Sequence, residues 1–168
     1  DLNGDIYVSC NQGQTTRKIS NNNVETIAGV YQTSGSANGT NGTLSNPCGI
    51  CLDQHSDLYI TESNGSIRVL GLDLTVSSDN VSGYIDDPDY NSPLNEISTH
   101  SLNIVDNNSK SLVIDSNNNI YITKYNTKEV IKKTPSGTES IIWSNSSKYP
   151  NYLAIDSNDD VYIVYGGG

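Results

Sequence analysis

Phenylalanine and methionine are absent from this 168-residue sequence, and histidine occurs only twice. Basic residues are scarce too: nine Lys and Arg stand against 19 Asp and Glu, a formal net charge of −10. That balance excludes nucleic-acid binding through the phosphate backbone, which needs a basic surface. It disfavours an anionic membrane surface for the same reason. No apolar run approaches the roughly 18 residues of a membrane-spanning helix, so membrane insertion is not expected. Three cysteines and two distant histidines make zinc a poor fit. There is no signal peptide and no initiator methionine, as expected of a mature product or an excerpt of a longer chain.

What is present is polar and turn-forming. Asn occurs 22 times and Ser 23 times. Both favour turns and disfavour helix interiors. Val, Ile, Tyr and Thr supply strand formers, with 11 Tyr in the chain. No stretch shows a helical period. The fold expected is all-β, in one domain long enough to bury a core.

The chain is a repeat. "DLNGDIYV" (1–8) recurs as "DQHSDLYI" (53–60), "DSNNNIYI" (115–122) and "DSNDDVYI" (156–163). The copies lie 52, 62 and 41 residues apart. An apolar strand precedes three of them, in "PCGICLD" (47–53), "SKSLVID" (109–115) and "PNYLAID" (150–156). Such strands suit the innermost position of a propeller blade, buried on both faces. Third strands follow at 15–20, 66–72 and 129–134. Fourth strands follow at 24–30 and 138–143, and the second unit's fourth strand is expected within 74–85.

Residues 26–70 resemble the NHL repeat of six-bladed β-propellers. The match runs through Ala28-Gly29, the Gly-rich stretch from Gly35 to Gly42, Leu44, Pro47, Gly49-Ile50, Asp53, Leu58-Tyr59-Ile60 and Ile67-Arg68. The resemblance is strong over 1–70 and 112–163, and residues 71–108 depart from it. The second strands also depart, ending in Ser9-Cys10, Thr61-Glu62, Thr123-Lys124 and Val164-Tyr165. The resemblance implies an all-β propeller of four-stranded antiparallel blades: a partial blade at 1–46, a blade at 47–108 with an insertion at 71–108, a blade at 109–149 and a partial blade at 150–168. Two blades are thus complete and two partial. RNA binding, known for some NHL domains, is disfavoured by the charge.

Several constellations carry possible chemistry. The Asp-x-Asn runs resemble the start of an EF-hand loop, but the twelfth position holds Gln12, Asn64, Asn126 or Gly167 in place of Glu. A hairpin turn is the expectation. Propeller lyases and lactonases bind metals at inner-strand ends, which makes Asp53, Asp115 and Asp156 the weak metal candidates. Asp86, Asp87 and Asp89 are weak calcium candidates in an acidic insertion. No resident cofactor is expected. Cys48 and Cys51 form a C-x-x-C, which marks redox or metal sites elsewhere. Cys51 aligns with Val113 and Ala154, so a buried thiol is expected there. Strand polarity puts Cys10 and Cys48 at one end of neighbouring blades, and a Cys10–Cys48 disulfide is expected in an oxidising compartment.

Six sequons fall in expected loops, at Asn38, Asn41, Asn64, Asn80, Asn107 and Asn145. Tyr31, Tyr84, Tyr90, Tyr125, Trp143 and Tyr149 lie outside or at the ends of core strands and suit interfaces or sugar stacking. No nucleophile elbow, HExxH or phosphate loop is present. The expectation is therefore a non-catalytic extracellular scaffold that binds proteins or glycans. A fibre subunit completed by copies of itself is one alternative, and a metal-dependent lyase or hydrolase on a propeller is the other.

Overall fold

The computed structural model describes residues 1, 3–39, 42–71 and 108–167, together with the backbone of 97–100. Every helix or strand among the described residues is a strand. Among the described residues thirteen strands form four antiparallel sheets. The first sheet holds β1 (Ile6–Cys10), β2 (Thr15–Ser20) and β3 (Asn23–Ala28). The second holds β4 (Pro47–Leu52), β5 (Leu58–Glu62), β6 (Ile67–Leu70) and β7 (Ile97–His100) in chain order. The third holds β8 (Leu112–Ile114), β9 (Ile120–Lys124), β10 (Glu129–Lys133) and β11 (Glu139–Ser144). The fourth pairs β12 (Lys148–Ile155) with β13 (Val161–Gly167).

One strand lies away from its expected place. The partner of β6 is Ile97–His100, in register Ile67↔His100 to Leu70↔Ile97, and not a segment of 74–85, which lies outside the described residues. A connection between third and fourth strands has no register to keep, so sequence pattern alone does not locate its end.

The sheets stack through apolar faces. Tyr7 packs on Leu58, Ile60 and Leu70, joining the first sheet to the second. Tyr59, Ile67 and Val69 pack on Leu112, Ile114, Ile120 and Ile122, joining the second to the third. The most deeply buried elements are in the middle two sheets: all of β5, β6 and β8, and all of β9 but Lys124. Burial of the first strands on both faces, expected from their apolar runs, holds for β8 and fails for β12. A sheet covered on one side only leaves alternate residues in water, so β12 alternates where β8 does not.

A buried ion pair ties the Gly-rich loop to the second sheet. Arg68, fully buried in β6, donates through Nη1 to the Thr43 carbonyl (2.9 Å) and through Nη2 to the Ala37 carbonyl (2.8 Å). Nη2 also donates to Asn38 Oδ1 (2.9 Å). Glu62 Oε1 lies 3.6 Å from Nη1 and accepts the Ser45 N–H at 2.6 Å. Burial pushes the Glu62 carboxyl up and the Arg68 guanidinium down, so both charges are held against a desolvation cost.

Candidate functional site

Each repeat copy closes the same hairpin. The repeat aspartate accepts the backbone N–H groups two and four residues on through Oδ1. These bonds reach Asn3 and Asp5 from Asp1, His55 and Asp57 from Asp53, Asn117 and Asn119 from Asp115, and Asn158 and Asp160 from Asp156. All lie at 2.8–3.0 Å. The third residue after each aspartate turns left-handed: Gly4 (φ 82°), Ser56 (69°), Asn118 (58°) and Asp159 (65°). Small polar residues and Gly tolerate that region, which accounts for the small residue in the repeat. A tyrosine six residues on donates to Oδ2 at 3.0 Å in three copies: Tyr7 to Asp1, Tyr121 to Asp115 and Tyr162 to Asp156.

These bonds set the charge state of the aspartates. Burial raises the Asp115 carboxyl, but hydrogen bonds from Asn119, Tyr121 and the Asn117 N–H outweigh it and leave it below the usual range. The N–H groups of Asn158 and Asp160 lower Asp156.

The hairpins converge at one end of the sheets. A groove of about 440 Å³ opens between the second and third hairpins, lined by Leu52, Asp53, Gln54, Ile114, Asp115 and Ser116. Gln54 Nε2 donates to the Ser116 carbonyl, and Ser116 Oγ donates to Asp159 Oδ2. Ser116 N–H reaches Asp159 Oδ1 at 2.9 Å. The three hairpins are thereby linked in series around the rim. His55 stands half-exposed at the second hairpin, with Nδ1 3.7 Å from Asp53 Oδ2.

The carboxylates of the metal candidates are engaged in their own turns. Asp53, Asp115 and Asp156 each commit Oδ1 to two N–H groups of their own turn. Among the described residues no three His, Cys, Asp or Glu side chains group to hold an ion. Asp86, Asp87 and Asp89 lie outside the described residues, as do Asn41, Asn80, Asn107, Tyr84 and Tyr90.

The expected Cys10–Cys48 disulfide is absent, and all three cysteines carry free thiols. Ser9, not Cys10, faces the neighbouring sheet: its Oγ donates to the Cys48 carbonyl at 2.5 Å. Successive residues of a strand point to opposite faces, so Cys10 turns the other way. The Cys48 thiol instead donates to the Asn46 carbonyl at 3.2 Å. Cys51 packs against the core, and burial raises its thiol.

At the opposite end of the sheets, three of the aromatic candidates join stacks. Tyr125 stacks on Tyr149 with centroids 4.6 Å apart, and Trp143 stacks on Tyr165 at 5.7 Å. Lys110 Nζ sits 3.8 Å from the Tyr125 ring and Lys128 Nζ 4.8 Å from the Tyr149 ring. The Tyr125–Tyr149 faces are therefore occupied, and the row joins the third sheet to the fourth. Tyr31 stays exposed. Of the sequons, Asn38 accepts from Arg68, Asn64 accepts the Ser66 N–H, and Asn145 accepts the N–H groups of Ser147 and Lys148.

Sequence reasoning missed the Glu62–Arg68 pair and the His55–Asp53 pair. The signal for the first was available: two opposite charges flank the "SNGSI" turn inside otherwise apolar strands.

No protein-family model matches the chain, and no curated protein matches it in sequence. Solved structures do match. A streptogramin B lyase superposes with a TM-score of 0.62 at 15% identity, over 98% of this chain and 45% of its own. Virginiamycin B lyase from Staphylococcus aureus, in a catalytically inactive variant with quinupristin, gives 0.60 at 17% identity, over 96% of this chain and 45% of its own. A chain of a nidogen/laminin complex gives 0.67 at 19% identity, over 99% of this chain and 54% of its own. The chain thus spans about half the length of the structures it matches. The fold is a β-propeller arrangement of antiparallel sheets.

These likenesses correct the expectation of a non-catalytic extracellular scaffold. Three of the similar structures are lyases, so the same stack of sheets carries enzymes. The lack of familiar catalytic motifs carries little weight on such a fold, because a propeller site is assembled from turns of different blades, with no fixed spacing in sequence.

Proposed function

We propose that the chain forms part of a propeller enzyme of lyase or hydrolase type, with its chemistry at the hairpin-lined rim. The observation that carries this reading is the match of three lyase structures to 96–98% of the chain. The rim offers the parts such chemistry uses. His55 is the group at the rim that could accept a proton, with Asp53 Oδ2 3.7 Å from its Nδ1. Gln54 and Ser116 supply polar contacts at the groove, and Leu52 and Ile114 give it an apolar floor. In one of the S. aureus lyase structures, a variant with histidine replaced by alanine is catalytically inactive.

Quinupristin, the compound bound in that structure, is the first probe. The protein is incubated with it and the products are separated and weighed. A linear product of unchanged mass marks elimination, and the gain of one water marks hydrolysis. His55→Ala is expected to lower turnover by about 10²-fold or more. Absence of turnover by the unaltered protein overturns the reading for this substrate class, and full activity in His55→Ala overturns the site.

The repeat itself is read as NHL type, supported by the Ala28-Gly29, Gly-rich loop and Arg68 positions. An extracellular setting is a separate proposal, supported by the loop placement of Asn38, Asn64 and Asn145. A mass shift of the natural protein on glycosidase treatment tests it.

A further inference from the structure

Acidic residues outnumber basic ones by 19 to nine, so a cation on this chain ordinarily has a carboxylate within reach. Lys18, Arg68, Lys124 and Lys132 each face one, in Asp5, Glu62, Glu139 and Asp115. Lys110, Lys128 and Lys148 take part in none of the ion pairs among the described residues. Each lies over a tyrosine ring instead. Nζ is 3.8 Å from the Tyr125 centroid for Lys110, 4.8 Å from Tyr149 for Lys128 and 4.3 Å from Tyr165 for Lys148.

The rings hold these ammonium groups at strand ends between the third and fourth sheets. Tyr125 follows β9, Tyr149 lies near the start of β12, and their stack at 4.6 Å brings Lys110 and Lys128 into one cluster. A cation over a ring face is attracted by the ring's quadrupole and still keeps its N–H donors. Lys128 uses one donor on the Ser146 carbonyl at 2.7 Å. All three lysines are partly exposed. The cluster is therefore a fixed group of positive charges on an acidic chain, with N–H donors turned to an anion from outside. It stands at the opposite end of the sheets from the hairpin rim, so it does not depend on the chemistry proposed there.

We propose that this cluster binds a short acidic peptide segment of a partner protein, whose carboxylates accept from Lys110, Lys128 and Lys148. The cluster sets the sign of the ligand, and the rest of the chain sets its size. A long polyanion such as a nucleic acid or a sulfated glycan would reach past the cluster onto a chain of net charge −10 and be repelled. A short peptide meets the cluster alone. A neutral sugar stacks on an open ring face, whereas Tyr125 and Tyr149 cover each other and carry a lysine apiece. The contact is electrostatic and partly exposed, so added salt weakens it.

Fluorescence anisotropy of a labelled hexaglutamate peptide at low ionic strength tests this, with labelled hexaglutamine as the uncharged control. The unaltered protein is expected to bind hexaglutamate and not hexaglutamine. Lys110→Gln and Lys128→Gln, each checked for an unchanged thermal unfolding profile, are expected to weaken binding about three- to fivefold apiece. Arg17→Gln in β2 removes the same charge away from the cluster and is expected to leave binding unchanged. Absence of binding by the unaltered protein overturns the proposal, and full binding by both lysine variants overturns the site. An equal loss in Arg17→Gln also overturns it, because net charge alone then accounts for the effect. A heparin fragment that binds more tightly than hexaglutamate overturns the choice of partner.

Discussion

The hydroxyl of Tyr121 donates to Oδ2 of Asp115 across 3.0 Å, six residues apart on the two sides of one hairpin. Oδ1 of the same carboxylate holds the turn that separates them. Phenylalanine would bury the same ring at this position but would leave the carboxylate short of a donor, and the chain contains no phenylalanine. Tyr121→Phe is expected to cost about 1.5 kcal/mol, the lower end for a hydrogen bond to a charged group, because Asn119 Nδ2 also donates to Oδ2. Urea unfolding measures it. The matched variant Tyr162→Phe, on an exposed face, is expected to cost less.

Acid stability follows from the same bonds. Asp115 and Asp156 are held below the usual aspartate range when folded. A lowered folded value means the contribution is fully present above the unfolded value of about 4 and is lost as pH falls through the folded value. The unfolding temperature is therefore expected to hold steady from neutral pH down to about pH 5 and to fall below about pH 4. In Asp115→Asn the neutral-pH stability drops and the acid decline becomes shallower. An equally steep decline in that variant would assign the acid sensitivity elsewhere.

Arg68 is expected to be the most sensitive single position. Arg68→Ala strands the buried Glu62 carboxylate and releases the carbonyls of Ala37 and Thr43. Breaking such a pair costs about 3–5 kcal/mol. The Glu62→Ala, Arg68→Ala double variant should lose less than the two single losses combined, as contacting partners do. Limited proteolysis would show cleavage within 31–46 in Arg68→Ala before any other segment opens.

Thiol chemistry separates the three cysteines. With no disulfide present, a reducing agent is expected to leave the unfolding temperature unchanged. Cys51, whose thiol is raised by burial, should react with a thiol reagent last. A shift in unfolding temperature on reduction would show a bridge.

The hairpins were legible in the sequence because their causes are local. Asp115 finds its hydrogen-bond partners within six residues, and the alternation of strand formers after it is equally short-range. The Glu62–Arg68 grip on the loop was not legible, since Arg68 meets Ala37 and Thr43 across 25 to 31 residues. Cys10 was misjudged because strand ends can be neighbours while their side chains point apart. Tyr125 and Tyr149 were legible as aromatics outside or at the ends of the core strands, but their mutual stacking depends on how two sheets meet. The rim that brings Gln54, Ser116 and Asp159 together has the same origin.

The hairpin bonds have a consequence for how such a chain changes over time. The bonds among Asp115, Asn117, Asn119 and Tyr121 all lie within one hairpin. A unit with this wiring can be duplicated or lost whole, and its successors keep their shape. Lengthening is tolerated where no hairpin bond crosses, as between β6 and β7, where the chain departs furthest from its own pattern. The aspartate–tyrosine link thus acts as a unit of inheritance as well as a clasp.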